Sequence, residues 1–224
     1  MGRATRMLLC VFRDRVEAGR GLAAELVGSV EPPVVVLGVA RGGVIVAAEV
    51  ARELGAPLDV VIPRKLGAPG NPELGIGAVA PGVRVVDSVG ARMLGVDDAY
   101  IEAEAGRQEA EIERRTAAYR QGKPPVDLHG ATAVVVDDGV ATGVTAVAAL
   151  RWARSQGPAS VVFAAPVGPQ GIERRLANEC DRCVVLLTPS DLRAVGRWYE
   201  RFEQTTDAQV GEALRAAAEE RGTP

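Results

Sequence analysis

Two adjacent acids, Asp137 and Asp138, stand where a run of valines meets a loop of small residues, in VVVDDGVATGVTA at 134 to 146. A hydrophobic strand that ends in two carboxylates and passes through Gly, Ala and Thr into a helix beginning near Gly143 has a definite chemical use. The amides of such a loop and of the helix start converge on one spot and hold a phosphate monoester. Thr142 and Thr145 add hydroxyl donors. The two carboxylates are rich in acceptors and suit a pair of neighbouring hydroxyls, such as the diol of a ribose. The stretch therefore fits a ribose 5-phosphate gripped at both ends. Other phosphate motifs fit worse. A Walker A loop needs a lysine before its Ser or Thr, and Val144 precedes Thr145. A dinucleotide fingerprint needs GxGxxG, which neither this loop nor LGVARGG supplies. An aspartyl-phosphate hydrolase wants an acid two residues beyond its nucleophile, where Gly139 sits.

The residues VVVDDGVATGVT resemble the phosphoribosyl pyrophosphate (PRPP) motif of type I phosphoribosyltransferases, a strand leading to two acids and a TGxT loop. The resemblance implies that Asp137 and Asp138 hold the ribose hydroxyls. It also implies that Gly139, Ala141, Thr142, Gly143, Val144 and Thr145 line the 5-phosphate.

A second anion site for the pyrophosphate is then required at the edge of a neighbouring strand. GVARGGVIVAAEVARELG at 38 to 55 supplies one: a strand enters ARGG and a helix leaves from its second glycine, so Ala40, Arg41, Gly42 and Gly43 gather amides and a guanidinium together. Arg41 can bridge two phosphoryl oxygens in bidentate fashion and is the third catalytic candidate beside the two acids. This stretch resembles the family's pyrophosphate loop, which implies a non-proline cis peptide between Ala40 and Arg41. Arg64 and Lys65 follow the end of the 58 to 62 strand candidate, at the head of the loop PRKLGAPGNPELGIG, and the resemblance implies that they reach the pyrophosphate beneath a Gly- and Pro-rich flap.

EIERRTAAYRQG at 111 to 122 and VGRWYERFEQTTD at 195 to 207 resemble a little-characterised bacterial branch that carries an inserted helical element, and the likeness extends from FRDRVEAGRGLA at 12 to 23 to the final helix. One departure matters. Salvage enzymes for 6-oxopurines place an Asp in the middle of the PRPP loop, and this chain has Ala141, so a general base there cannot be carried over. Trp198 and Tyr199 fall where related enzymes stack an aromatic on the nucleobase, and Trp198 is taken as a substrate-binding candidate.

These residues need a scaffold. The strand candidates are 34 to 39, 58 to 62, 132 to 137, 160 to 164 and 183 to 187, alternating with helices at 43 to 54, 143 to 156 and 169 to 178. Further helices are expected near 13 to 29 and at 207 to 220. That rhythm predicts an α/β fold: a parallel twisted sheet of about five strands flanked by helices, Rossmann-like, with an inserted flap and helix. The whole chain, 1 to 224, reads as a single domain. Its insertion at 63 to 131 is a lid loop, two short extended pieces split at Pro81-Gly82, and a helix from Asp97 or Asp98 to Gly122; residues 188 to 224 form a hood and last helix. The inserted helix carries a thin stripe of Ile101, Ala105, Ile112 and Tyr119 amid Glu and Arg, the pattern of a solvated face.

Composition bounds the rest. With a net charge of -3, the chain has no broad polyanion-binding surface, so nucleic acid is not an expected partner. No apolar run approaches the roughly 20 residues of a membrane span. MLLCVF at 7 to 12 is too short for a secretory core, and Arg6 breaks the myristoylation pattern, so a cytoplasmic location is expected. Cys10, Cys180 and Cys183 make no disulfide framework and read as packing residues; His129 has no catalytic or metal-ligand partners in the sequence.

The resulting expectation is a Mg-dependent phosphoribosyltransferase of nucleotide salvage that moves ribose 5-phosphate from PRPP onto a small-molecule acceptor, by analogy a nucleobase, and releases pyrophosphate. The Mg2+ is expected to be held through PRPP and water with no protein side chain as a committed ligand, and a homodimer is expected by analogy. The rival reading is a PRPP-binding regulatory protein without turnover.

Overall fold

In the computed structural model, which describes residues 11–222, the five apolar runs form one parallel sheet. The strands are β1 (Val34–Val39), β2 (Leu58–Val61), β6 (Thr132–Val136), β7 (Ser160–Val167) and β8 (Arg182–Leu187), in the order β2-β1-β6-β7-β8. Cys10 and most of MLLCVF lie outside the described residues. The strands are mainly apolar because both faces of the sheet are covered. Val36, Val134, Val136, Val162 and Ala164 face α1 (Arg15–Leu26) and α2 (Gly42–Leu54). Their alternates Val35, Leu37, Ala133, Val135, Val161 and Phe163 face α5 (Val144–Ser155) and α6 (Ile172–Leu176). Cys180 is buried in that second layer and Cys183 packs against it.

The strand order reverses between β1 and β6. Their parallel register pairs Gly38 with Val136, so the loops that follow, ARGG and DDGVATG, leave the same edge of the sheet side by side. In doubly wound sheets this crevice is where ligands bind. Gly38 lets α2 pack close behind it: a Cβ there would lie 2.6 Å from the Val44 Cα and 3.1 Å from the Ala47 Cβ.

Between β2 and β6 the structure corrects one expectation. Residues 63 to 77, read as a lid loop, are largely strand: β3 (Arg64–Ala68) and β4 (Asn71–Ala80) form a hairpin, and β5 (Val83–Val86) completes a three-stranded antiparallel sheet. The glycines that suggested a loop serve close approach instead. A Cβ on Gly67 would meet the Pro72 Cα at 2.6 Å, and one on Gly77 would meet the Val85 carbonyl oxygen at 2.3 Å. Register shifts around Gly67 bend the hairpin. A short helix, α3 (Ser88–Met93), capped by Asp87, was also not anticipated.

The inserted helix α4 (Asp98–Arg120) follows its expected bounds, with Asp97 accepting from the Tyr100 N–H at 2.8 Å. Its buried residues are the predicted Ile101, Ala105, Ile112 and Tyr119. They pack with Leu66 and Ile76 of the hairpin and with Val210 of the last helix, α7 (Asp207–Gly222). A buried pair fixes the far end of α4: the Arg120 guanidinium donates to both oxygens of Asp59 on β2 at 3.1 Å, and Asp59 also accepts from the Val126 N–H at 2.9 Å. No helix among the described residues is long and apolar enough to cross a membrane.

The contact at Gly38 yields a stability prediction. Gly38→Ala overpacks the β1–α2 interface and is expected to cost about 1–3 kcal/mol, a drop in Tm of roughly 2–12 °C for a domain of this size. A thermal melt of the variant that superimposes on wild type would show that no close contact exists there.

Candidate active site

The two loops touch. A Cβ on Gly42 would fall 1.9 Å from the Asp138 Oδ2 and 2.7 Å from the Arg15 Nε, and one on Gly43 would fall 2.7 Å from the Val136 carbonyl oxygen and 2.9 Å from the Asp137 Cα. Any side chain at either position would force the loops apart, which is why both are glycine. The Ala40–Arg41 peptide is cis, as expected. Helix α2 starts at Gly42 and α5 just after Gly143, which has φ +80°; neither start has a side-chain cap, so their first amides are left to a ligand or water. Both amide clusters lie on one sheet edge.

The acids sit in the corner between them. The Asp137 Oδ1 accepts from the Asp138 N–H at 2.8 Å. The Asp138 Oδ2 accepts from the Arg15 Nε at 2.7 Å, in a pair whose side chains are largely buried. Arg15 also donates to the Glu203 carbonyl at 2.8 Å and lies 3.9 Å from the centre of the Phe202 ring. The Tyr199 hydroxyl donates to the Asp138 carbonyl at 2.6 Å. Burial, and then the neighbouring Asp138 charge, push the Asp137 carboxyl well above its usual range, with Arg15 opposing. Burial likewise pushes the Tyr199 phenol up, so it remains a donor.

The other predicted residues are distributed along the same edge. Ala141 and Thr142 are exposed at the loop tip, Gly143 is buried against Ile172, and Val144 and Thr145 are half-buried on the first turn of α5. Gly139 is pinned by the hood, since a Cβ there would lie 2.3 Å from the Val195 Cγ1. On the opposite side, Arg41 lies 3.6 Å from Asp207 at the start of α7. Arg64 donates through Nε to the Gln108 Oε1 at 2.8 Å. Burial, then the charges of Arg115 and Arg41, push the Arg64 guanidinium below its usual value. Lys65 follows on β3, half-buried alongside Gly75.

Of the aromatic pair, Tyr199 is buried with Phe12 and Val167, so its ring is core and its hydroxyl braces the acid corner. Trp198 is half-buried against the same cluster, and its carbonyl accepts from the Val11 and Phe12 N–H groups. His129 is exposed in a turn remote from the sheet edge. Among the described residues no group of three His, Cys, Asp or Glu side chains is arranged to hold a metal ion.

Sequence reasoning missed Arg15, the bracing role of Tyr199, and Gln108, Arg115 and Asp207. Arg15 lies within FRDRVEAGRGLA, a stretch noticed for its likeness without a role. The signal on α4 was the spacing of Gln108, Glu111 and Arg115, three and four residues apart on one helix face.

Comparison with known proteins adds to this geometry. The family model described as phosphoribosyl transferase domain matches residues 13–189. Proteins from two strains of Mycobacterium tuberculosis, both provisionally named phosphoribosyl transferases, are 47% identical over 201 residues, 89% of this chain and 45% of each of those. The chain thus spans less than half the length of these curated relatives. The crystal structure of the Thermus thermophilus protein TT1426 matches with a TM-score of 0.75 and 45% identity, covering 91% of this chain and 97% of that one.

The crowded acids make a prediction with a definite sign. Because the folded-state pKa of Asp137 is raised, the stability linked to its neutral form is present below its unfolded value of about 3.9 and is lost as pH rises through the folded value. Asp137→Asn keeps the acceptor for the Asp138 N–H and removes that loss. Its Tm is expected to match wild type near pH 4 and to exceed it increasingly as pH rises, by about 2–4 °C for each kcal/mol relieved. Melts at pH 8 that show no gain over wild type contradict the crowding.

Proposed function

The chain belongs to the phosphoribosyl transferase domain family, and we propose that it moves the ribose 5-phosphate of PRPP onto a small-molecule acceptor of the nucleobase type with release of pyrophosphate. The single observation that carries this reading is the contact between Gly42 and Asp138. Through it, an uncapped helix start and Arg41 on one strand adjoin two carboxylates and a second uncapped helix start on the next. One ligand with an anion at each end and a diol between them suits such an edge.

In this reading the amides at the start of α5, with the hydroxyls of Thr142 and Thr145, anchor the 5-phosphate. Asp137 and Asp138 accept the two ribose hydroxyls, and Arg15 fixes the rotamer of Asp138. Arg41, Arg64 and Lys65, with the amides of Gly42 and Gly43, take the leaving group. The bond from the anomeric carbon to the pyrophosphate oxygen breaks with its electron pair on pyrophosphate. Positive charge develops on the sugar, as in glycoside cleavage. The acceptor's lone pair then closes the new bond on that carbon, and the acceptor proton leaves to solvent or pyrophosphate, since Ala141 offers no base. The anionic corner beneath the ribose is preorganised to favour the positive sugar, and the arginines favour the departing charge.

The donor set suits Mg2+ held largely by substrate and water. Asp137 and Asp138 offer few oxygens, one of which already accepts from Arg15, and Mg2+ retains waters readily. When bound, the ion would neutralise part of the pyrophosphate charge, and Asp137 and Asp138 would be the side chains to hold it.

The test mixes protein, Mg2+ and PRPP with a panel of nucleobases and follows pyrophosphate. Release with at least one base is expected, and Asp138→Asn should lower kcat/KM by about 100-fold. Absence of both PRPP binding and turnover would sink the assignment. Tight PRPP binding without pyrophosphate release by any acceptor would replace the enzyme with a PRPP-binding regulator.

A further inference from the structure

The inserted helix α4 reads from the sequence as a solvated face, yet four contacts lock it against the edge of the site. Its buried stripe packs on the hairpin and α7. Gln108 accepts from Arg64 at 2.8 Å, the Tyr119 hydroxyl donates to Asp207 at 2.7 Å, and Arg120 is paired with Asp59. Between Gln108 and Tyr119, one turn from the latter, stands Arg115. Its side chain is only 14% exposed, far less than the 57% of its neighbour Arg114.

Guanidiniums from three separate elements border this stretch of α4: Arg41 from the loop after β1, 3.6 Å from the Asp207 that also takes the Tyr119 hydroxyl; Arg64 from the start of β3, bonded to Gln108; and Arg115 of α4 itself, whose charge and that of Arg41 both act on Arg64. Their company is thinly neutralised. Glu111, which accepts from Arg115 at 2.6 Å, is shared with Arg114 at 2.7 Å. Asp207, 3.6 Å from Arg41, is shared with Arg114 at 3.5 Å and with Tyr119. Arg64 meets a neutral amide at Gln108. Glu111 is held down to about 2 by Arg114 and Arg115, whereas Arg64 is pushed down by burial and then by Arg115 and Arg41, with Glu111 and Glu104 opposing only in part. A fold that half-buries like charges together gains from it only when an anion joins them.

Resting on the function proposed above, we infer that Arg115 is a third arginine ligand of the pyrophosphate group, so that the inserted helix forms one wall of the leaving-group site. Arg41 and Arg64 approach the group from the sheet edge and the hairpin, and Arg115 approaches it from the face of α4 held rigid by Arg120 and Tyr119. Arg115 keeps Glu111 as its tether, which leaves its remaining guanidinium N–H groups as donors for phosphoryl oxygens.

Titration calorimetry with inorganic pyrophosphate and, separately, with ribose 5-phosphate tests this on wild type, Arg115→Ala, Arg115→Gln and Arg107→Ala, with Mg2+ present throughout. Arg115→Gln preserves the length of the stem should alanine disturb folding. Both Arg115 variants are expected to bind pyrophosphate about tenfold or more weakly while binding ribose 5-phosphate as wild type does. Arg107→Ala, on the exposed side of α4, should change neither. Pyrophosphate affinity equal to wild type, or an equal loss for both ligands, overturns the inference. Failure of wild type itself to bind pyrophosphate or PRPP overturns the phosphoribosyl reading beneath it, a different result.

Discussion

Everything at the sheet edge follows from one steric constraint, the approach of the loops after β1 and β6 to a separation that admits no Cβ. With 1.9 Å between a notional Gly42 Cβ and the Asp138 Oδ2, the two loops behave as one surface. The parallel register of β1 and β6 sets them at the same height, and Gly38 lets α2 settle close enough that its first turn reaches that surface. Loop sequence and strand packing are thus solutions to the same problem: bringing two uncapped helix starts together at one edge of the sheet.

Electrostatics divide this surface into two unlike halves. At the acid corner, Asp137 and Asp138 repel one another, and the structure relieves only one of them, by giving Asp138 to Arg15. Across the edge, arginines crowd around too few carboxylates, and burial and neighbouring charge both bear on Arg64. Each half is less stable alone than it would be beside a ligand of matching polarity. Such local cost persists at sites of binding because the surrounding fold enforces it. Here the enforcement is visible: Tyr199 and Val195 wedge the acid corner, and Asp59 with Arg120 secures the helix behind the arginines.

Legibility from sequence tracked the range of the interactions. Strands buried on both faces announced themselves as uninterrupted valine-rich runs, and their bounds were read to within a few residues. The stripe of Ile101, Ala105, Ile112 and Tyr119 was equally plain, because helical spacing is local. The β3–β4 hairpin was hidden since its glycines serve contacts with Pro72 and with the Val85 carbonyl of a later strand, whereas glycine in isolation signals a turn. Arg15 was beyond reach for a simpler reason: its partner Asp138 lies 123 residues away. Tyr199 was legible as an aromatic near the site and not as a hydroxyl bound to a backbone carbonyl, because nothing local fixes where that hydroxyl points.

The substitution at position 141 and the inserted helix belong to one argument about where the barrier is lowered. A transferase with an acid in the phosphate loop can draw on the acceptor side by assisting proton removal. A chain with Ala141 lacks that contribution, so in the proposed reaction more of the rate must come from the departing pyrophosphate and from the ribose that it leaves. Stabilising a leaving group is a matter of fixed positive charge in a poorly hydrated place. In that reading α4 would bring it: a guanidinium largely shielded from solvent, oriented by Glu111 and carried on a helix tied to the hairpin through the Tyr100 hydroxyl and the Gly67 carbonyl and to β2 through Arg120 and Asp59. Because such donors are already in position, little reorganisation is needed as charge develops, and the acceptor then needs mainly an accessible lone pair and a shape that fits beneath the hood.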